Sequence, residues 1–513
     1  MRFDSPLQLF HEVTTSLEKL SHVLFGSKLL IDSIIYTIGA IIPQAVGFIL
    51  MPVITKYLPP DEYGIVSSMN AFAGILIVFL TLVLEGSIFR LYYDYKTLEE
   101  KMRFLSTISI SLFTISTSIV VLLLILHNYV SLIFKSIPFS PYYLFTILAA
   151  YFSVFGFVPL TYYRVIEQAR TYFLLSIGLF FLETFLTLCF VVGFKWGAAG
   201  RLGAHMVANL SFALLYVYLL RKIITMRLNF DFQILKDALH YSLPLVPTSL
   251  SGWILNFSDR IFIERYFTLA DVGIYSLGYQ IGMVVMIITG GIHTAYTPFF
   301  YKLANTRDQK SAKEQLYRTN TVYILAVCLM CFLISLFSKE VVSLMAHHSY
   351  LEAYKIVPLI ALAYLFNQVT GILNLYIGQE KRTKALMYLT LCGAGINILL
   401  NFLLVPKYRA YGAAYATIIS FAIVFLAKYL YSKRCYFIPW AWDKILPYAF
   451  GLFGVVILFW FINLQYISLS LIMKVLVALL IVCFFSKQYR IVNFRKIFES
   501  IKGFNARFSR GGF

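Results

Sequence analysis

The sequence predicts an all-α polytopic membrane protein with about 14 transmembrane helices, arranged as two six-helix bundles related by a pseudo-twofold repeat plus a C-terminal helix pair. Three observations carry this prediction. Of the 513 residues, 60% are hydrophobic and only 13% are charged, whereas soluble domains carry about 25% charged residues. Apolar stretches of about 20 residues recur along the whole chain. The two halves of the sequence also repeat one another.

The apolar stretches define the predicted helices, because each is long enough to cross about 30 Å of hydrocarbon. The first half contains Leu29–Ile54, Ile65–Phe89, Phe104–Leu126, Tyr142–Tyr163, Tyr172–Phe194 and Ala198–Leu220. The second half contains Ala238–Ile263, Val272–Phe300, Thr319–Phe337, Tyr354–Ile377, Ala385–Val405 and Tyr411–Tyr431. Two further spans, Ile445–Phe461 and Ile467–Phe485, complete the set. Pro244 and Pro247 remove backbone donors from the seventh span and should bend it.

These spans divide the chain into five segments. Residues 1–28 place Leu and Val at near-helical spacing, which favours an interfacial helix on the cytoplasmic surface over a disordered tail. The other segments are a first six-helix bundle (29–222), a second bundle (236–432), an extra helix pair (444–486) and a basic cytoplasmic tail (487–513).

The positive charges predict the orientation in the membrane. The net charge is +19, but the basic residues are divided among short loops, which argues against nucleic acid as a partner. With fourteen spans, the termini and the loops after even-numbered spans hold about 31 Lys and Arg, against about 9 on the other side. By the positive-inside rule, both termini are predicted to be cytoplasmic.

An internal repeat relates the two halves. The segment from Tyr57 to Ser67 matches the segment from Tyr266 to Ser276. Equivalent positions are Glu62 and Asp271, Gly64 and Gly273, and Ser67 and Ser276. Trp196-Gly-Ala-Ala at the start of the sixth span likewise corresponds to Tyr411-Gly-Ala-Ala at the start of the twelfth. Each half has six spans, so the copies share one orientation and imply a pseudo-twofold axis along the membrane normal, as in transporters.

Short motifs in the second half follow a family pattern. They are, in order, Pro244-x-x-Pro247, Ser258-Asp-Arg260, Val272-Gly-Ile-Tyr-Ser276, Asn397 with Asn401, Val405-Pro406 and Tyr411-Gly-Ala-Ala. Over about residues 28–430 the chain resembles the oligosaccharide flippases of polysaccharide biosynthesis, in the multidrug/oligosaccharidyl-lipid/polysaccharide exporter superfamily. The resemblance implies two bundles around a central cavity, alternating access and a lipid-linked sugar as cargo.

The implied cargo needs cationic residues, because a lipid diphosphate presents a concentrated negative charge. The resemblance implies a vestibule between spans one, two, seven and eight, where the substrate-binding candidates are Lys56, Arg90, Arg260, Arg265 and His293. Snorkelling at helix ends is the alternative for Lys56, Arg90 and Arg265. The alternative for Arg260 is neutralisation by the adjacent Asp259. The alternative for His293 is a hydrogen-bonded core histidine.

Two polar stripes add candidates. Arg201, His205 and Asn209 are spaced i, i+4, i+8 and share one face of span six. Arg201 and His205 are therefore substrate-binding candidates, with a structural stripe between helices as the alternative. Asn397 and Asn401 share a face of span eleven and could contact sugar, or act only in helix packing.

Intramembrane carboxylates are the candidates for ion coupling. Glu183, near the middle of span five, ranks first, since an isolated carboxylate there should have a raised pKa and could also pair with the stripe of span six. Acidic groups in the first bundle carry cation coupling in the wider superfamily, which the resemblance extends to Glu183. Asp32 and Glu85 come next, although both lie near the ends of their spans.

Signs of catalysis are weak. The sequence contains no Gly-x-x-x-x-Gly-Lys-Ser/Thr loop and no nucleophile with a readable base. Cys328 and Cys331 share one apolar span and fit small hydrophobic residues better than a metal site. We expect neither an enzyme, a metal nor a cofactor, with H⁺ or Na⁺ as the coupling ion.

The expected function is therefore translocation of a polyprenyl-diphosphate-linked oligosaccharide across a bacterial inner membrane, for O-antigen, capsule or exopolysaccharide synthesis. Expected partners are this lipid, the membrane lipids and glycan polymerase or assembly proteins. A membrane polymerase or ligase is one alternative and could use the outward carboxylates Asp61, Glu62 and Asp271, whose positions also fit turn and capping roles. An exporter of drugs or of a peptidoglycan precursor is the other.

Overall fold

The computed structural model describes residues 42, 46–224, 229–461 and 467–489. All regular secondary structure in these residues is helical, which confirms the predicted all-α class. The predicted N-terminal segment, most of the first span and nearly all of the basic tail lie outside the described residues.

The helices alternate with short turns along the chain. The first half contains α1 (Met51–Tyr57), α2 (Pro60–Thr81), α3 (Leu84–Leu91), α4 (Leu98–Ile125), α5 (His127–Val130), α6 (Leu144–Val154), α7 (Phe157–Val165), α8 (Ala169–Thr187) and α9 (Gly197–Ile223). The second half contains α10 (Phe232–Ser242), α11 (Val246–Phe257), α12 (Asp259–Tyr266), α13 (Leu269–Gly282), α14 (Val284–Ala304), α15 (Gln309–Leu336), α16 (Ser338–Met345), α17 (Val357–Gln379) and α18 (Thr383–Ser432). Helices α19 (Trp442–Phe461) and α20 (Ile467–Tyr489) form the C-terminal pair.

Ten helical segments of the described chain are long and apolar enough to cross a membrane. The prediction of about fourteen is consistent with this number, because the first span lies mostly outside the described residues and three local features account for the other spans. Helix α18 holds two predicted spans, separated at Arg409, where φ is +55°. The seventh predicted span is divided into α10, α11 and α12, and the apolar part of α20 is a shorter helix, Leu471–Phe485.

Bends interrupt the predicted spans for different reasons. Span seven is interrupted at its prolines, where a single 3₁₀ turn, Leu243–Leu245, joins α10 to α11. The break in span two was not predicted, because no Gly or Pro marks it. There Leu82 and Val83 adopt φ of +46° and +56°, which ends α2 and starts α3. Such angles cost about 1–3 kcal/mol each for residues of this kind, so surrounding packing must hold them.

The described residues form two compact units. Unit 1 contains those up to Ile281 together with Val342–Ile356 and Thr383–Val424, and unit 2 contains Gly282–Val341, Val357–Arg382 and those from Phe425 onward. The core of unit 1 is built from fully buried aromatic and aliphatic side chains of α2, α4 and α6, such as Phe104 and Ile147. The predicted limits of the two six-helix bundles stay a prediction.

The repeat is visible in unit 1 as a contact between equivalent residues. A Cβ atom on Gly64 would lie 1.9 Å from the carbonyl oxygen of Leu269, and a Cβ on Gly273 would lie 1.9 Å from that of Pro60. One turn further along, the Ser67 hydroxyl donates to the Ser276 hydroxyl at 2.6 Å. Helices α2 and α13 therefore cross backbone to backbone, and any larger side chain at either glycine would separate them.

The first of the repeated carboxylates has the capping role that its position predicts. Glu62 Oε2 accepts a hydrogen bond from the Ala198 backbone N–H at 2.9 Å, at the first turn of α9. Gly197 before it has φ of +57°, and a Cβ there would lie 2.1 Å from the same carboxylate oxygen. The Asp271 carboxylate in turn accepts from the Thr268 backbone N–H at 3.2 Å, ahead of α13. Both contacts satisfy donors at helix starts.

An ion pair within unit 2 joins the C-terminal helix α20 to α16. Lys474 of α20 lies 2.7 Å and 3.0 Å from the two carboxylate oxygens of Glu340 at the start of α16. The Lys474 side chain is 10% exposed. An ion pair of this kind offsets part of the cost of placing a charge inside an apolar helix.

Candidate functional site

The acidic candidate of α8 meets the polar stripe of α9. Arg201 Nη1 lies 2.7 Å from Glu183 Oε1 and donates to the Thr187 hydroxyl at 3.0 Å. His205 Nδ1 lies 3.2 Å from the other carboxylate oxygen, Oε2. All three charged side chains are partly exposed, between 19% and 38%. Asn209 continues the stripe by donating to the carbonyl of His205 at 2.9 Å.

This geometry confirms that Glu183 pairs with the stripe and corrects the expectation of an isolated carboxylate. Each carboxylate oxygen faces a nitrogen of a different α9 side chain, so both oxygens of Glu183 have a partner. The roles of these residues in binding or coupling stay a prediction.

Arg260 lies in a closed environment within unit 1. Its Nη1 donates to Asp259 Oδ1 at 2.7 Å and to the carbonyl of Asn256 at 2.5 Å. The other oxygen of Asp259 accepts from the Tyr275 hydroxyl. The guanidinium carbon lies 4.3 Å from the ring centre of Tyr279, and the Arg260 and Asp259 side chains are only 5% and 3% exposed.

The surroundings of Arg260 correspond to the alternative in which Asp259 neutralises it. A carboxylate, a carbonyl and aromatic faces account for its charge. In this conformation the guanidinium is covered by protein.

The two asparagines of α18 lie next to this cluster. Asn397 Oδ1 accepts from the Ser258 hydroxyl at 3.1 Å and from Asn401 Nδ2 at 3.1 Å. Both amides are at most 1% exposed. They join α18 to the junction of α11 and α12, while Asn397 Nδ2 and Asn401 Oδ1 have no hydrogen-bond partner among the described residues, and sugar contact stays a prediction.

His293 of α14 packs against α17 within unit 2. A Cβ on Gly371 would lie 2.8 Å from the imidazole Nε2 atom, so only glycine leaves room for the ring. That Nε2 atom is buried and has no hydrogen-bond partner in the described part of the chain. One nitrogen of the ring is therefore unsatisfied, and the role of His293 stays a prediction.

The remaining candidates are more exposed. Lys56 lies in the last turn of α1, and Arg90 forms an i, i+4 pair with Asp94 at 2.9 Å in which both side chains are more than half exposed. Arg265 is exposed, with Nη1 3.5 Å from the carbonyl of Leu132. These positions match the snorkelling alternative. Two acidic candidates differ: Glu85 has one buried carboxylate oxygen without a hydrogen-bond partner among the described residues, and Asp32 lies outside the described residues.

Comparison with known proteins decides the family. A family model described as "Polysaccharide biosynthesis protein" matches residues 29–304, more than half of the chain. The chain belongs to this polysaccharide biosynthesis family. A second family model, MatE, matches residues 244–403.

Relatives and a solved structure agree with this assignment. A protein of the Lsg locus of Haemophilus influenzae is 26% identical over 296 residues, which are 57% of this chain and 70% of the relative. A glycan biosynthesis flippase of Haloferax volcanii, Agl15, is 23% identical over 45% of this chain and 48% of its own length, so the chain spans about half of that relative. The lipid II flippase MurJ, in an inward closed conformation, covers 89% of this chain at a TM-score of 0.71 and 16% identity. The resemblance to the flippases of the exporter superfamily is confirmed.

Several important residues of this polysaccharide biosynthesis protein could not be found from local sequence. Tyr275 and Tyr279 enclose Arg260, although they belong to the next helix. Lys428 of α18 is 5% exposed and donates to Asn374 of α17 at 3.0 Å, across 54 residues of sequence. A lysine between apolar residues can be noticed in the sequence. Its partner cannot, because Asn374 is a neutral residue on another helix.

Proposed function

We propose that this protein translocates a polyprenyl-diphosphate-linked oligosaccharide from the cytoplasmic to the outer leaflet of a bacterial inner membrane, with both termini cytoplasmic. The product would serve O-antigen, capsule or exopolysaccharide synthesis, together with glycan polymerase or assembly proteins. The observation that carries the proposal is the polysaccharide biosynthesis match over residues 29–304, which include both cationic clusters of unit 1, at Arg201 and at Arg260.

The proposed mechanism is alternating access of two six-helix bundles. The closed crossing of α2 and α13 supports it, because Gly64 and Gly273 lie at the predicted outward starts of spans two and eight. A movement of α13 that opened this crossing would also move Tyr275 and Tyr279 away from Arg260, and the Glu183 cluster would supply coupling to H⁺ or Na⁺. The cationic groups hold the diphosphate, and no covalent chemistry is required.

Two other functions compete with this proposal. A polymerase or ligase needs outward carboxylates that are free to react, but Glu62 caps α9 and Asp271 bonds to Thr268. Export of a peptidoglycan precursor remains the second candidate function, favoured by the shared fold with the lipid II flippase.

The decisive test is leaflet-resolved accumulation of lipid-linked oligosaccharide in cells depleted of this protein. We expect single repeat units to accumulate facing the cytoplasm. Units that accumulate unpolymerised on the outer face would contradict the proposal and support the enzyme. Accumulation of a peptidoglycan precursor, with normal glycan repeat units, would support the second candidate.

A further inference from the structure

One face of α17 carries a polar strip inside unit 2. Asn367, Gly371 and Asn374 are spaced i, i+4, i+7 and therefore lie on the same side of the helix. All three are half-buried, in a helix that is long and apolar enough to span the membrane. Polar residues on such a helix face protein or water rather than lipid.

A buried cation lies against this strip. Lys428 is 5% exposed, and its Nζ atom donates to Asn374 Oδ1 at 3.0 Å. An ammonium group has three donors and a full charge, whereas an amide oxygen is one neutral acceptor. No carboxylate lies within ion-pair distance of Lys428 among the described residues. Burial of an uncompensated charge is unfavourable, so the site as it stands lacks an anion.

A second polar nitrogen lies beside the same strip. The Nε2 atom of His293 is buried against Gly371 and has no hydrogen-bond partner within the described chain. Gly371 and Asn374 are three residues apart, so their positions on α17 are neighbours, with about 5–6 Å between Cβ positions on a helix. Lys428 and His293 therefore flank one patch of the helix from α18 and α14.

We propose that Lys428, His293 and Asn374 form a binding site for a phosphate-type oxyanion, and that its ligand is the diphosphate of the transported lipid. The site offers an ammonium, an imidazole N–H and an amide, which match the oxygens of a phosphate group. Among the described residues, no acidic side chain that would favour a metal ion is paired with it. This assignment of the ligand rests on the proposed function.

The test uses the full-length protein in detergent, with inorganic diphosphate as the probe and thermal unfolding as the readout. A ligand that binds the folded state raises Tm in a saturable way, which gives Kd. Wild type should be stabilised, and Lys428→Met should weaken binding about tenfold or more, since a charge-assisted hydrogen bond is lost. Lys428→Arg should retain binding. Equal binding by wild type and Lys428→Met would overturn the proposal.

The matched control is Lys433→Met, which removes the same charge from an exposed position at the end of α18. It should bind diphosphate like wild type; a loss as large as that of Lys428→Met would show a general charge effect and overturn the site. If Lys428→Met does not fold, Asn374→Ala and His293→Gln test the same patch. Both should weaken binding severalfold, and unchanged binding in both would also overturn the proposal.

Two further arms identify the source of the oxyanion. Farnesyl diphosphate should bind at least as tightly as inorganic diphosphate, with the same dependence on Lys428. If only phosphatidylglycerol in nanodiscs stabilised the protein through Lys428, the site would belong to bilayer lipid and the assignment to cargo would be wrong. These binding data stand apart from the leaflet assay, so failure of the proposed function and failure of this site are distinguishable.

Discussion

Arg260 in unit 1 and Lys428 in unit 2 are both buried cations in apolar surroundings, yet their partners differ. Arg260 has a carboxylate, a carbonyl and aromatic faces around it, whereas Lys428 has one amide oxygen. Arg260 and Lys428 are therefore almost equally buried, but only Arg260 has an anionic partner. In this conformation a buried cation with its own anion is already compensated, and one without an anion is suited to bind one. Burial alone does not show whether a buried charge is free to take a ligand; its partners do.

The largest expected effect on stability comes from breaking the Arg260–Asp259 ion pair in unit 1. Arg260→Met leaves Asp259 buried without its cation, which should destabilise the protein by about 3–5 kcal/mol and lower its abundance in the membrane. Lys428→Met, the matched change in unit 2, should cost about 1 kcal/mol or less, because no charged partner is left behind. Thermal unfolding and membrane abundance measure both; equal losses in the two variants would contradict the comparison.

A smaller effect, on diphosphate binding, is expected when Lys428 is given a carboxylate partner like that of Arg260. Asn374→Asp supplies the missing carboxylate 3.0 Å from the ammonium, so the protein should stay folded while diphosphate binding falls about tenfold or more. Asn305→Asp is the control, since it makes the same change at an exposed position outside α17. Binding that survives in Asn374→Asp would show that Lys428 does not hold the anion.

The smallest effect is expected for the Glu183 cluster, whose side chains are ion-paired but more exposed than Arg260 and Lys428. Glu183→Gln keeps an acceptor for Arg201 but removes the charge, so stability should fall by about 1–2 kcal/mol. Transport should lose its response to collapsed proton and sodium gradients. Glu314→Gln, in an exposed pair with Arg318, should change neither quantity measurably. A coupled response that persists in Glu183→Gln would remove this residue from the coupling mechanism.

Local periodicity was sufficient for part of the site. The i, i+4 spacing of Arg201 and His205 placed them on one face, and Glu183 in the preceding span proved to be their partner. The repeat placed Ser67 and Ser276 at equivalent positions, and they are in contact. Such features are encoded within single helices or within the duplication, so they can be derived from sequence.

Contacts that join distant helices could not be derived in this way. Lys428 near the predicted end of a span resembles a snorkelling lysine until Asn374 is seen beside it. The break at Leu82 and Val83 contains no Gly or Pro that would predict it, and the Val83 N–H there donates to the Thr81 hydroxyl at 3.2 Å. The enclosure of Arg260 by Tyr275 and Tyr279 depends on how α13 packs on α12, which periodicity does not specify.

The crossing of α2 and α13 has a consequence for the origin of the chain. Gly64 approaches Gly273, and Ser67 bonds to Ser276, so each residue touches its own counterpart. In a homodimer, residues meet their own copies only on the twofold axis. An ancestor of six spans that paired with itself would have built this contact from one glycine and one serine. Duplication and fusion of its gene would then have placed the glycine and the serine in both halves of one chain. A substitution in one half must now be accommodated by the equivalent residue in the other half.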